Sequence, residues 1–197
     1  MDEKNKSQMI DEILEIELVM FLSVRARQKA SCQEQPDTFR MMRKAQFSAW
    51  SGKTLACYLD DLRTAQNDGT NLMTHKYARM DNTIPRLNED PLIEKIVRAQ
   101  YAWQQTLMEK YPYLMHRARP LKSSEDTYHQ TSFETYLTSE LETYSHKTLE
   151  SLYEDIEKKQ QEGKNLTKEV YEYILKELGH ESLAAADAFA RKGLRFS

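Results

Sequence analysis

The sequence predicts an all-α protein, an irregular bundle of seven or eight helices in a single domain over residues 1–197. Three observations carry this. Apolar residues recur at three- and four-residue spacing almost throughout, no segment shows the alternation of a strand, and Gly and Pro number only five each. Charged residues make up 30% of the chain and the mean hydropathy is −0.77, which suits amphipathic helices with solvated outer faces.

The elements follow in order. Ile10, Ile13, Leu14, Leu18, Phe21 and Leu22 form a one-sided stripe, so the first helix is placed at about 8–28. Pro36 suits the first turn of the second, with Phe39, Met42, Gln46 and Trp50 on one face. Ser51 is a cap for the third, which turns Leu55, Tyr58, Leu59 and Leu62 inward and stops at Gly69. A short fourth helix covers about 71–80. Asp90-Pro91 opens the fifth, lined by Ile93, Ile96, Val97, Gln100, Trp103 and Leu107 and closed at Tyr111 by Pro112.

Residues 112–130 then read as one long irregular connection. Thr131 and Glu134 have capping-box spacing, and a stripe from Phe133 to Ile156 predicts the longest helix behind them. Gly163 and Asn165 break it, a further helix runs about 167–178, and Ser182 caps a last Ala-rich one.

Composition excludes several classes. The opening residues lack the apolar core of a signal peptide, and the longest apolar run, 18–22, is far too short for a bilayer. The two cysteines, Cys32 and Cys57, form no close-spaced motif. The expectation is a cytoplasmic protein with free thiols and no membrane partner. Glu142 and His146 share a helical face, but no second such pair completes a di-metal set, so no metal is assigned. Residues 25–53 carry seven basic side chains against Glu34 and Asp37. Their aromatics lie on an inward stripe and no nucleic-acid motif is present, so the reading goes against nucleic acid. No cofactor and no protein partner is identified.

The long connection is where a site is expected, since compact domains seldom carry one that is neither functional nor disordered. Arg117 and Arg119 bracket Ala118 there, and arginine forks suit carboxylate or phosphate. The same arginines could instead pair with Asp126, Glu134 or Glu140 and pin the loop. Cys32, near Arg25, Arg27 and Lys29, is the only plausible nucleophile.

Several of these stretches resemble one family. Ala30-Ser31-Cys32-Gln33 with Met42-Arg43, Gln46-Phe47 and Trp50 look like its first block. Asn71-Leu72-Met73-Thr74 with Lys76-Tyr77-Ala78-Arg79-Met80 look like its second. Lys110-Tyr111-Pro112, Arg117, Arg119-Pro120 and Thr131 to Leu137, continued by Glu140-Leu141 and Thr143-Tyr144-Ser145, look like its third. The family is an uncharacterised bacterial one, domain of unknown function four-one-two-five. After Met80 the stretch to Pro91 is short for it. The resemblance lends no activity, but implies that the polar residues of these blocks share one site.

The expected site therefore joins Gln33, Arg43, Gln46, Lys76, Tyr77, Arg117 and Arg119 around a small anionic ligand. If the protein is an enzyme rather than a binding protein, its candidate catalytic residues are Cys32 as nucleophile and Glu134 or Tyr136 to orient the ligand. The rival is an interaction module in which the same residues lock one another. An open cavity or a closed, fully paired core would separate the two. Nothing in the sequence names a reaction.

Overall fold

Residues 3–24 and 35–193 are described by the computed structural model. Among them are ten α-helices and no strand, only an isolated bridge between Thr127 and Gln130. The helices are α1 (Glu3–Leu22), α2 (Pro36–Ser48), α3 (Gly52–Asn67), α4 (Leu72–Met80), α5 (Pro91–Lys110), α6 (Pro112–Met115), α7 (Phe133–Leu141), α8 (His146–Gln161), α9 (Leu166–Glu177) and α10 (Leu183–Arg191). None is long and apolar enough to cross a membrane.

Side-chain caps fix most helix starts. The side chains of Ser51, Asn71, Ser145, Asn165 and Ser182 each accept from the amide three residues on, and Asp90 accepts from Leu92. Pro36 and Pro91 sit in the first turns of α2 and α5, where a missing amide hydrogen costs nothing.

The expected seven or eight helices become ten because two segments are more divided than their apolar stripes suggest. The connection at 112–130 holds the one-turn α6 and a 3-10 turn at Ser123–Glu125. The expected longest helix is two, α7 and α8. Ser145 starts a new helix by accepting from Thr148, and Asp61 of α3 takes both the Ser145 amide and the Thr148 hydroxyl. The longest helices are α1 and α5, with 20 residues each. The stripe continued across the break because both halves bury a face.

Two other boundaries differ. α1 ends at Leu22, not near 28: the Asn71 amide and the Ser23 hydroxyl both donate to the Met20 carbonyl. The cap of α7 is Ser132, not Thr131. Ser132 Oγ accepts from the Thr135 amide, while Thr131 offers its carbonyl to Arg119. Glu134 does not close a box on Thr131; it accepts from the Ser123 amide and ties the helix to the loop before it.

The helix neighbours form a closed circuit. α1 packs on α2, α2 on α9, α9 on α5, α5 on α7, α7 on α4, and α4 back on α1. A second seam, α1 to α3 to α8 to α5, covers the other side. The main core runs through both, with Phe21, Phe47, Leu62, Ile96, Leu149 and Ile156 almost wholly buried. Trp50, Tyr58 and Tyr144 meet edge-on or tilted within it. A smaller cluster of Leu107, Met115, Leu175, Leu183 and Ala186 seats α6 and α10 against α5 and α9.

Replacing Ser132 with Ala should lower the denaturation free energy by about 1 kcal/mol through loss of the α7 cap. Thr131→Ala should stay within about 0.5 kcal/mol of the parent. Urea denaturation of the two variants side by side measures the difference.

Candidate functional site

The circuit of helices encloses a cavity of about 570 Å³. This lies within the roughly 300–1,000 Å³ of sites for drug-sized molecules. α2, α4, α5, α7 and α9 wall it, with the segment 114–119 along one edge. Most of the wall is apolar, including Phe39, Trp50, Met73, Phe133, Leu137 and Ile174. Its polar part is a buried ion network, and its rim carries two arginines.

The network starts on α1. Glu17 lies on the buried stripe between Leu14 and Phe21 and is 0% exposed. Arg43 of α2 meets it with a two-pronged contact, Nε to Oε2 at 2.7 Å and Nη2 to Oε1 at 2.5 Å. Tyr58 of α3 donates to the same carboxylate at 2.6 Å. The third arm of Arg43, Nη1, reaches Glu140 of α7 at 2.8 Å. Glu140 Oε1 also accepts from Gln46 and Tyr144, and Oε2 from Lys76 of α4. Two cations and two carboxylates thus join four helices with every charge faced.

That arrangement fixes the protonation of its members. Burial pushes the Glu140 carboxyl up, but the charges of Arg43 and Lys76 outweigh it and hold the group well below the usual carboxylate range. Burial pushes Lys76 down, and Glu140 more than reverses this, so the amine stays an ammonium ion. The Tyr144 and Tyr58 hydroxyls are raised by burial and by the carboxylates they touch. Glu140 is therefore held as a carboxylate and Lys76 as an ammonium ion. The network shapes the electrostatics of the wall.

Arg43, Gln46, Lys76, Tyr77, Arg117, Arg119 and Tyr136 all line the cavity. Tyr136 is half-buried, with Lys76 Nζ 3.9 Å and the Arg119 guanidinium 4.7 Å from its ring centre. Tyr77 lies beside Phe21. Arg117 and Arg119 are exposed, and neither forms an ion pair among the described residues; Arg119 donates to the Thr131 carbonyl at 2.8 Å, and its charge helps hold the Asp126 carboxyl below its ordinary value. Asp126, Glu134 and Glu140, the partners the sequence offers them, are engaged elsewhere. Glu134 is not part of the cavity wall. Cys32 and Gln33 lie outside the described residues. Cys57 is buried, and burial raises its thiol, so it is poorly suited to nucleophilic work.

Sequence reasoning missed Glu17, Gln104 and Thr167. The signal for Glu17 was a charged residue at helical spacing from Ile13, Leu14 and Phe21, and for Gln104 an amide three residues before Leu107 on the inward face of α5. Glu142 and His146 do not meet: Glu142 binds Arg79 and the Leu87 amide, and His146 binds Asp90. Among the described residues no three His, Cys, Asp or Glu side chains gather as a metal ion would need.

Residues 7–188 match the family Protein of unknown function (DUF4125), and the chain belongs to that family. No curated protein and no solved structure matches it.

Lys76→Met leaves Glu140 short of a buried cation and should cost about 3–5 kcal/mol of stability. Adding Glu140→Gln removes the stranded charge and should recover part of the loss, as chemical denaturation of the single and double variants would show. A separate outcome concerns His146 at the start of α8. Its hydrogen bond with Asp90 raises the imidazole above its ordinary value. The stability this adds is full below about pH 6.5 and is lost as pH rises through the higher folded-state value. Melting curves across that window should lose this pH dependence in His146→Gln.

Proposed function

We propose that the protein binds a small amphipathic molecule bearing an anionic group, held between α2, α4, α5, α7 and α9. The observation that carries this reading is the pair of rim arginines beside a mainly apolar cavity: among the described residues Arg117 has no carboxylate partner, and Arg119 forms no ion pair and feels Asp126 only at longer range. The inner charges cancel: Arg43 and Lys76 stand against Glu17 and Glu140. The local surplus is therefore positive and sits at the rim, where a carboxylate or phosphate keeps part of its hydration. Met42 and Leu178, both exposed, share that rim and would cover the hydrocarbon next to the anion.

Binding is favoured over catalysis because the buried ionisable groups are locked. The rival reading, a module whose polar residues only fasten the fold, accounts for Arg43, Lys76 and Glu140 but not for the arginines or the cavity. Cys57, held as a buried thiol, suits a reducing compartment, and we place the protein in the cytoplasm.

Fluorescence titration with anilinonaphthalene sulfonate, an anionic amphiphile, tests the reading, with dodecanoate as competitor. Saturable binding that dodecanoate displaces is expected. Arg117→Gln and Arg119→Gln should each weaken it roughly tenfold while shifting stability by no more than about 1 kcal/mol. Equal displacement by dodecanol, or variants that bind like the parent, would overturn it.

A further inference from the structure

The cavity wall holds a second polar feature that the ion network does not touch. Gln104 of α5 is 2% exposed and Thr167 of α9 is 7% exposed. Both residues line the cavity, and Gln104 Oε1 and Thr167 Oγ1, each almost wholly shut off from solvent, have no hydrogen-bond partner among the described residues. Tyr171, one turn beyond Thr167 on α9 and also in the wall, accepts from Gln104 Nε2 at 3.3 Å. Around these three groups stand Leu107, Ile174 and Leu175.

Buried polar groups left without a partner are rare, and each costs about 1–3 kcal/mol of lost hydration. Two on facing helices of the same cavity are a pattern expected of a subsite. Among the described residues the other buried polar side chains find partners. Thr54 and Ser151, on the α3–α8 seam, bond each other at 2.9 Å, and Thr148 donates to Asp61 at 2.7 Å.

We infer that Gln104 and Thr167 form a recognition subsite for a hydroxyl group on the ligand, so that the ligand class is a hydroxylated amphipathic acid. The inference rests on the binding reading above. A hydroxyl is the small neutral group whose chemistry suits both atoms: once a turn of either side chain brings its oxygen to the cavity, it can donate to the Gln104 oxygen and exchange a bond with the Thr167 hydroxyl. It also serves if the amide plane is reversed, when Tyr171 donates to the oxygen and the amide nitrogen seeks an acceptor. A plain hydrocarbon at this place strips solvent from both atoms and returns no bond, so it is selected against.

Competition against bound anilinonaphthalene sulfonate tests this, using dodecanoate and a set of hydroxydodecanoates that carry the hydroxyl at different carbons. At least one isomer should compete roughly tenfold better than dodecanoate. Thr167→Val and Gln104→Met should erase that advantage, with dodecanoate itself competing better than at the parent because no polar atom is left to strip of its hydration. Thr167→Ser, which keeps the hydroxyl, should retain the advantage and guards against a folding artefact. If dodecanoate competes and the arginine variants weaken it, but no isomer does better, the subsite is overturned and the binding reading stands. The same holds if the advantage survives Thr167→Val. If neither dodecanoate nor any isomer displaces the dye, the binding reading itself fails.

Discussion

The contact on which the rest of this structure depends is the one between Arg43 and Glu140. It spans 97 positions of sequence and lies almost wholly out of water. Arginine is suited to the place because its fork addresses two carboxylates at once: Nε and Nη2 hold Glu17, and Nη1 holds Glu140. Lysine at 43 could not do this, whereas position 76 needs only a point charge for Glu140 Oε2 and has one. α1, α2, α4 and α7 are thereby fixed in mutual orientation by directional bonds rather than by shape alone. Such a network is poor evidence of net stability, since desolvation offsets much of the attraction. Its consequence is geometric: α2, α4 and α7 are held along one wall of the cavity, with α1 fastened behind α2 through Glu17.

The same economy of partners separates the inside of the site from its rim. Every charge of the inner network is answered, so it draws no further ion. Arg117 and Arg119 stand on the segment after α6, which is tied down by other means. Asp187 of α10 takes the amides of Tyr113 and Leu114, and Phe133 and Glu134 donate their amides to the carbonyls of Pro120 and Leu121. Arg117 is thus carried on a braced segment without being used to brace it, while Arg119 adds one tie, to the Thr131 carbonyl. Arg119 touches Tyr136 and the Thr131 carbonyl, neither of which cancels its charge, and the Asp126 carboxylate offsets it only at longer range.

Much of the fold was legible in the sequence because its helices announce their own starts. Ser51, Asp90 and Ser182 were readable as caps, and the structure uses each of them. Where the reading failed, two signals competed. Thr131 and Ser132 are both good caps; the nearer hydroxyl won, and the Thr131 carbonyl went to Arg119. The stripe from Phe133 to Ile156 hid the break at Ser145, since periodicity records which face is buried and not whether the backbone is continuous. The cavity-lining polar residues Arg43, Gln46, Lys76 and Tyr77 were recoverable from the family blocks in which they stand. Glu17 belongs to no such block, yet a carboxylate on the apolar stripe of α1 implies a buried cation opposite.

Gln104 and Thr167 show the reverse case, polar residues on inward faces for which the fold supplies no answer. On α1 the same anomaly, Glu17, is resolved within the protein by Arg43 and Tyr58. On α5 and α9 the two residues line the cavity and no described residue answers the Gln104 oxygen or the Thr167 hydroxyl. An inward polar residue has two physical resolutions, a partner from the chain or one from outside it. This protein holds both kinds in one cavity wall, a few helical turns apart. The buried ions define the shape of the space, and the unanswered amide and hydroxyl, with the arginines at its rim, define what can occupy it.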